Sequence, residues 1–192
     1  MKEPLPLTVI HEAVLDFIRG RRDAVLFGAH AVNAYVGEPR ATQDVDLMSP
    51  GAAKLADELR AHLARRFQVA LRVRQAAQGQ GLRIYQVRQE GNRHLVDLRQ
   101  VETLPPTCDL QGILVLDPPS LIASKVVAIH RRQGRPKSLT DSRDLAMLLL
   151  TFPELKDETG RVAERLAGED AEVRALWLEW TRREILPEED DY

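Results

Sequence analysis

The spacing of apolar residues changes along the chain, and each change marks an element. From Leu7 to Gly20, Val9, Ile10, Val14, Leu15 and Phe17 or Ile18 fall near a helical period, which predicts an amphipathic helix that Gly20 ends. The run "DAVLFGAH" is short, apolar and closed by glycine, the pattern of a buried strand entering a tight turn, and "AHAVNAYVG" returns to helical spacing up to Gly37. "QDVDLMS" reads as a second strand, and "GAAKLADELRAHLARRF" as an amphipathic helix with its stripe at Leu55, Leu59 and Leu63. "QVALRVRQ" and "GLRIYQVRQ" are strands on either side of the glycine-rich "AAQGQG", and "EGN" turns the chain into "RHLVDLRQVE", a hairpin partner. "DPPSLIASKVVAIHRRQGRPK" is a helix entered through prolines and closed by Gly134 and Pro136. "SLTDSRDLAMLLL" opens a further helix with a hydroxyl cap, and two more helical stretches precede the acidic end. This order predicts an α/β (α+β) fold, a mixed sheet flanked by helices with a helical C-terminal part. The expected division is a core over 1–117 and a helical part over 118–192, with an acidic tail at 187–192.

Composition narrows the class. No apolar run approaches the length of a membrane span, and "MKEPLPLTVIHEAV" lacks the order of a secretory signal, so the expectation is a soluble cytoplasmic protein with no membrane partner. The single cysteine, Cys108, excludes an intramolecular disulfide framework and argues against a cysteine-based zinc site. The net charge of −2 conceals an uneven distribution. Nine arginines against two acids stand between Arg60 and Arg99, and thirteen acids face six bases from Pro153 to Tyr192. Each run is a solvated face on the simplest view. The basic one is also a flank suited to polyphosphate or RNA.

Candidate chemistry begins at Asp44 and Asp46. Strand residues two apart share a face, so both carboxylates point together while Val45 and Leu47 point to the core. Adjacent like charges repel unless cations sit between them. A solvent-facing strand side, or a cap on the next helix, would also accommodate them. Gly28 precedes a helix whose first N–H groups suit a phosphate, so an anion cradle and a metal site become neighbours. Asp97 alternates with Val96 and Leu98 on a later strand and supplies a third carboxylate. Three carboxylates can hold two magnesium ions roughly 3.5–4 Å apart and clamp both oxygens of an in-line displacement at phosphorus.

"GAHA" followed by "RATQDVDL" resembles the signature of the DNA polymerase beta type nucleotidyltransferase superfamily. With "LIASKVVAIHRR" and "TDSRDLAMLL", the stretch from 22 to 150 is similar to the AbiEii/AbiGii branch, the nucleotidyltransferase toxins of abortive-infection and toxin–antitoxin systems. The resemblance implies a phosphate-binding turn at Gly28 and Ala29, and Asp44, Asp46 and Asp97 as catalytic metal ligands. It also implies Lys125 on the triphosphate, and Asp141 and Asp144 as the late acidic motif. A nucleoside triphosphate would be the substrate, two Mg2+ ions the cofactor, RNA or the tRNA 3′ end the favoured acceptor, and an antitoxin protein the partner. Ala29 departs from the serine or glycine usual at its position, so a hydroxyl contact to phosphate is replaced by backbone N–H groups alone.

The other candidates carry competing readings. Lys125 lies among Leu121, Ile122, Val126, Val127 and Ile129, where a lysine can also snorkel to the surface. Arg40 suits the γ-phosphate or a loop salt bridge, and Thr42 a cap or a ligand contact. Asp144, followed by an apolar run, suggests burial and a specific partner, whereas Asp141 is as readily a helix-stabilising acid. His30, His94 and His130 show no metal spacing and are expected to be structural or surface groups. Trp177 and Trp180 read as helix packing. Two alternatives stand beside the RNA acceptor: nucleotidyl transfer to a protein or a small molecule such as an aminoglycoside, and a silent partner-binding module.

Overall fold

The computed structural model describes residues 6–76 and 81–187, so the glycine-rich connection at 77–80 and residues 188–192 of the expected acidic tail lie outside the described residues. The chain forms two compact units, one of residues 1–31 and 40–116, the other of 32–39 and 117–192. No helix among the described residues is long and apolar enough to cross a membrane.

The first unit is built on a seven-stranded mixed sheet in the order β3-β4-β5-β2-β1-β7-β6. Its elements are α1 (Leu7–Ile18), β1 (Val25–Phe27), the first turn of α2 (Gly28–Tyr35), β2 (Val45–Ser49), α3 (Ala52–Phe67), β3 (Leu71–Gln75), β4 (Gly81–Gln86), β5 (Arg93–Gln100), β6 (Thr107–Leu110) and β7 (Ile113–Leu116). β2 runs parallel to β5, and β1 runs parallel to β7; the remaining pairs are antiparallel.

Cross-strand pairing sorts the side chains by face. Val45 stands beside Val96 and Ile84, and Leu47 beside Leu98 and Leu82, on the face that α3 covers with buried Leu55, Leu59 and Leu63. The opposite face carries the row Phe27, Asp46, Asp97, Arg83 and Arg74. Burying one face in aliphatic side chains fixes the register, because a one-residue slip would move this whole set to the other side.

The β6–β7 hairpin has no counterpart in the sequence reading. Its two-residue turn places Gln111 at φ 54 and Gly112 at φ 83, the doubly left-handed geometry that matches strand twist. Only the glycine half of that signal is conspicuous in "TCDLQGILVL".

The second unit is helical. It contains α4 (Pro118–Arg131), α5 (Pro136–Thr151), a 3-10 turn at Pro153–Leu155, α6 (Arg161–Arg165) and α7 (Ala171–Arg182). α4 is central and contacts α5, α6 and α7. Asp117 caps it by accepting a 3.0 Å bond from the Ser120 N–H, with prolines filling first-turn positions that need no hydrogen bond. Pro136 does not close α4 but opens α5 behind Arg135, and no hydroxyl caps that helix; Ser138 Oγ bonds instead to the Ile129 carbonyl. Trp177 and Trp180 are buried in helix packing, with the Arg183 guanidinium over the Trp180 ring.

Candidate active site

Local sequence at the end of β1 sets the first part of the site. The chain leaves Phe27 and enters α2 through Gly28 at φ 69, a conformation costly for any residue with a Cβ. A Cβ there would lie 2.0 Å from Asp46 Oδ2 and 2.7 Å from its Cγ. Glycine is thus what allows the Asp46 carboxylate to lie against the turn. Ala29 follows, buried, in the first turn of α2.

The carboxylates arrive on neighbouring strands. Asp46 and Asp97 are direct partners in the parallel β2–β5 pair, and Asp44 sits in the bend just before β2. Thr42 Oγ1 donates a 3.3 Å bond to the Asp44 carbonyl and steadies that bend, while Arg40 Nη1 donates to the Ala41 carbonyl at 3.2 Å. Arg83 Nε donates to Asp97 Oδ1 at 3.1 Å from the adjacent strand β4. That contact, with the Asp97 charge behind it, raises the pKa of the arginine.

The structure adds a residue that sequence spacing pointed away from. In a regular strand His94 and Asp97, three apart, would face opposite sides. A register shift opposite Ile84 and Tyr85 leaves Leu95 without a partner, so His94 pairs with Tyr85 and shares the face of Asp97. His94 Nδ1 then lies 3.1 Å from Asp44 Oδ2, and Nε2 lies 3.2 Å from the Val96 carbonyl. That carbonyl can only accept, so Nε2 carries a hydrogen and Nδ1 is left to face the carboxylates. Burial works against a charged imidazole here, but the Asp44 hydrogen bond and the charges of Asp44 and Asp97 outweigh it, so the His94 pKa is raised.

Asp44, His94 and Asp97 each offer a ligand atom within 4.8 Å of the others, all three half-buried. Two carboxylates and an imidazole whose second nitrogen is fixed by a backbone carbonyl form a donor set that fits a divalent cation. The oxygens suit magnesium, and the nitrogen extends the set towards manganese and zinc. Asp46 lies outside this trio, beside Asp97 and against Gly28. Next to the site, His30 Nε2 and His11 Nδ1 are 3.2 Å apart, and the two rings meet edge to face. Burial first, then the His11 neighbour, push the His30 pKa down to about 4, so His30 is a packed neutral group.

The remaining expected site residues lie in the helical unit. Lys125 is not a surface lysine; its ammonium is buried and donates to Asp141 Oδ1 at 3.1 Å and Asp144 Oδ2 at 2.6 Å. Arg132 donates to the other oxygen of Asp141 at 2.6 Å. Both acids of the late motif are therefore buried partners of Lys125, and Asp141 is no exposed helix-end acid.

With this geometry in place, the comparisons define the class. The family model for the nucleotidyl transferase AbiEii toxin of type IV toxin–antitoxin systems matches residues 14–190, and the chain belongs to this family. Among solved structures, the chain is similar to the Megavirus polyadenylate synthase at 18% identity and a TM-score of 0.63, covering 80% of this chain and 33% of that one. The chain thus spans a third of the length of the viral protein. It is similar to JHP933 from Helicobacter pylori at 12% identity and a TM-score of 0.60, covering 91% and 87% of the two chains. The structure of ANT(2″)-Ia in complex with adenylyl-2″-tobramycin matches at 15% identity and a TM-score of 0.50, covering 90% and 97%. No curated protein sequence matches. The fold is that of nucleotidyltransferases, and the chain belongs to a family of nucleotidyl transferases.

Proposed function

We propose that this transferase moves a nucleoside monophosphate from a nucleoside triphosphate to the 3′ end of an RNA, with tRNA favoured, as a toxin countered by an antitoxin protein. The observation that carries this reading is the gathering of Asp44, His94 and Asp97 within 4.8 Å, in a chain of the AbiEii family. Magnesium ions held by Asp44, Asp46 and Asp97 would offset the triphosphate charge and stabilise the entering and leaving oxygens.

The protein's own groups have separate tasks in this scheme. The N–H groups following Gly28 bind phosphate at the start of α2, Ala29 contributing through its backbone alone. Arg40 takes a terminal phosphate, and Thr42 holds the Asp44 backbone. Asp97 accepts the proton of the acceptor hydroxyl as its oxygen bonds to the α-phosphorus. The bond from that phosphorus to the bridging oxygen breaks, and pyrophosphate leaves. For Lys125 and Asp144 a role towards the triphosphate rests on the family resemblance.

The test is incubation with each α-labelled nucleoside triphosphate, magnesium and total tRNA, beside Asp44→Ala and Asp46→Ala. Label on RNA that both variants lose supports the reading; equal label with wild type and variants would overturn it. The fold shared with ANT(2″)-Ia, solved with an adenylylated tobramycin, puts an aminoglycoside and a protein extract in the same panel. Label found only there would replace the RNA acceptor.

A further inference from the structure

Six of the nine arginines between Arg60 and Arg99 fall into two sets once the strands are paired. Arg60, Arg65 and Arg66 belong to α3, on the aliphatic side of the sheet, where Arg60 lies 3.8 Å from Asp57 and Arg66 3.7 Å from Asp16. Arg72, Arg74 and Arg83 alternate onto the opposite face, the one that holds the carboxylates. Arg74 pairs with Arg83 and Arg83 with Asp97; Arg72 pairs with Tyr85 and Tyr85 with His94. Two cross-strand rows therefore run outward from the site to β3, an edge strand.

These rows have the chemistry of a surface for a nucleic-acid strand. Neither β3 nor β4 contains an acid, and the exposed Arg72 and Arg74 have no ion-pair partner among the described residues. Guanidinium forks hold phosphate oxygens in pairs. Tyr85, half-buried and 5.1 Å from the His94 ring, adds an aromatic group in the same row. A base can stack there whatever its identity. An acidic protein would need the charge and not the aromatic, and its carboxylates would not be set at the regular interval of a phosphodiester backbone.

We infer that the β3–β4 extension of the carboxylate face is the acceptor track. The 3′-terminal segment of the RNA lies with phosphates on Arg72 and Arg74 and a base against Tyr85, which brings its terminal hydroxyl to Asp97. This inference rests on the RNA-acceptor reading above and assigns that acceptor a place on the protein.

The experiment is binding of 5′-fluorescein-labelled total tRNA across a salt series, by anisotropy. It compares wild type, Arg72→Gln/Arg74→Gln, Tyr85→Leu, and Arg65→Gln/Arg66→Gln on α3, with melting curves showing that each is folded. Arg72→Gln/Arg74→Gln is expected to bind about tenfold more weakly and to reduce the log–log salt slope by about 1.4, two single-strand phosphate contacts. Tyr85→Leu is expected to lose about fivefold in affinity with an unchanged slope, since stacking releases no counterions. The α3 pair is expected to match wild type. Equal losses from both arginine pairs would overturn the track, as would full binding by Arg72→Gln/Arg74→Gln; so would displacement of the RNA by polyglutamate at matched charge concentration, which marks an acidic-protein surface. Wild-type stabilisation by nucleoside triphosphate with metal is read separately. If it is present while no RNA binds even at low salt, the RNA acceptor falls with the track and the nucleotidyltransferase assignment stands.

Discussion

Acids cluster in both units, and the clusters differ in one physical respect. In the helical unit the Lys125, Asp141 and Asp144 side chains are 7%, 3% and 0% exposed, with Lys125 bonded to both acids. In the sheet unit Asp44 and Asp97 retain 20% and 28% exposure, and their partners, His94 and Arg83, are themselves partly open to solvent. A buried set whose charges are matched by fixed neighbours is costly to disturb and has little room for exchange. A half-exposed set of carboxylates on adjacent strands can trade its present contacts for a bound cation. The same residue types thus organise a helix core in one place and offer a candidate ligand set in the other.

That contrast breaks first under Asp46→Asn. Transfer activity is expected to fall by more than a thousandfold, about 4 kcal/mol of barrier, while the midpoint of urea unfolding moves little. A parallel collapse of stability would show that the carboxylate set is structural too. Lys125→Met tests the other side: it leaves two buried acids short of a cation and is expected to cost about 3–5 kcal/mol by denaturant unfolding. A loss below about 1 kcal/mol would remove the distinction between the two clusters.

A pH series separates the stability of the site region from its chemistry. The native His30 pKa is lowered to about 4 from an ordinary value near 6.5, so between these values the unfolded chain binds a proton that the native one refuses. His11 shifts in the same direction, chiefly by burial. This contribution to stability is complete above about pH 6.5 and is lost as pH falls towards 4, by up to about 3 kcal/mol. His30→Gln should flatten the slope, and an unchanged slope would place its origin elsewhere.

Gly28→Ala sharpens the comparison at the turn. The left-handed backbone and the collision with Asp46 are expected to cost about 2 kcal/mol and to displace that carboxylate, so that transfer falls further than stability alone requires. The smallest effect concerns the nitrogen donor: manganese should raise the melting temperature more than magnesium, and His94→Ala should narrow the difference, about tenfold in relative affinity.

Much of this was legible in one dimension. Alternating and helical spacing marked the β2, β4 and β5 strands and α3, and "QDVDL" beside a Gly-turn, with "RHLVDLRQ" further on, singled out Asp44, Asp46 and Asp97 as candidates. Two features were not legible, for a common reason. The Leu95 bulge that turns His94 towards Asp44 depends on which residues of β4 it pairs with, and local spacing carries no record of that register. The Gln111–Gly112 hairpin lies in a stretch where only one of the two left-handed positions is a glycine.

By itself, the sequence determined the class of fold and the family and singled out the candidate acids, because periodicity and motif spacing are properties of the chain. The tertiary structure alone decided which acids are buried partners of Lys125, which stand open beside His94, and which arginines share their face. Those outcomes depend on cross-strand register and helix packing, which bring together residues that sequence distance keeps apart.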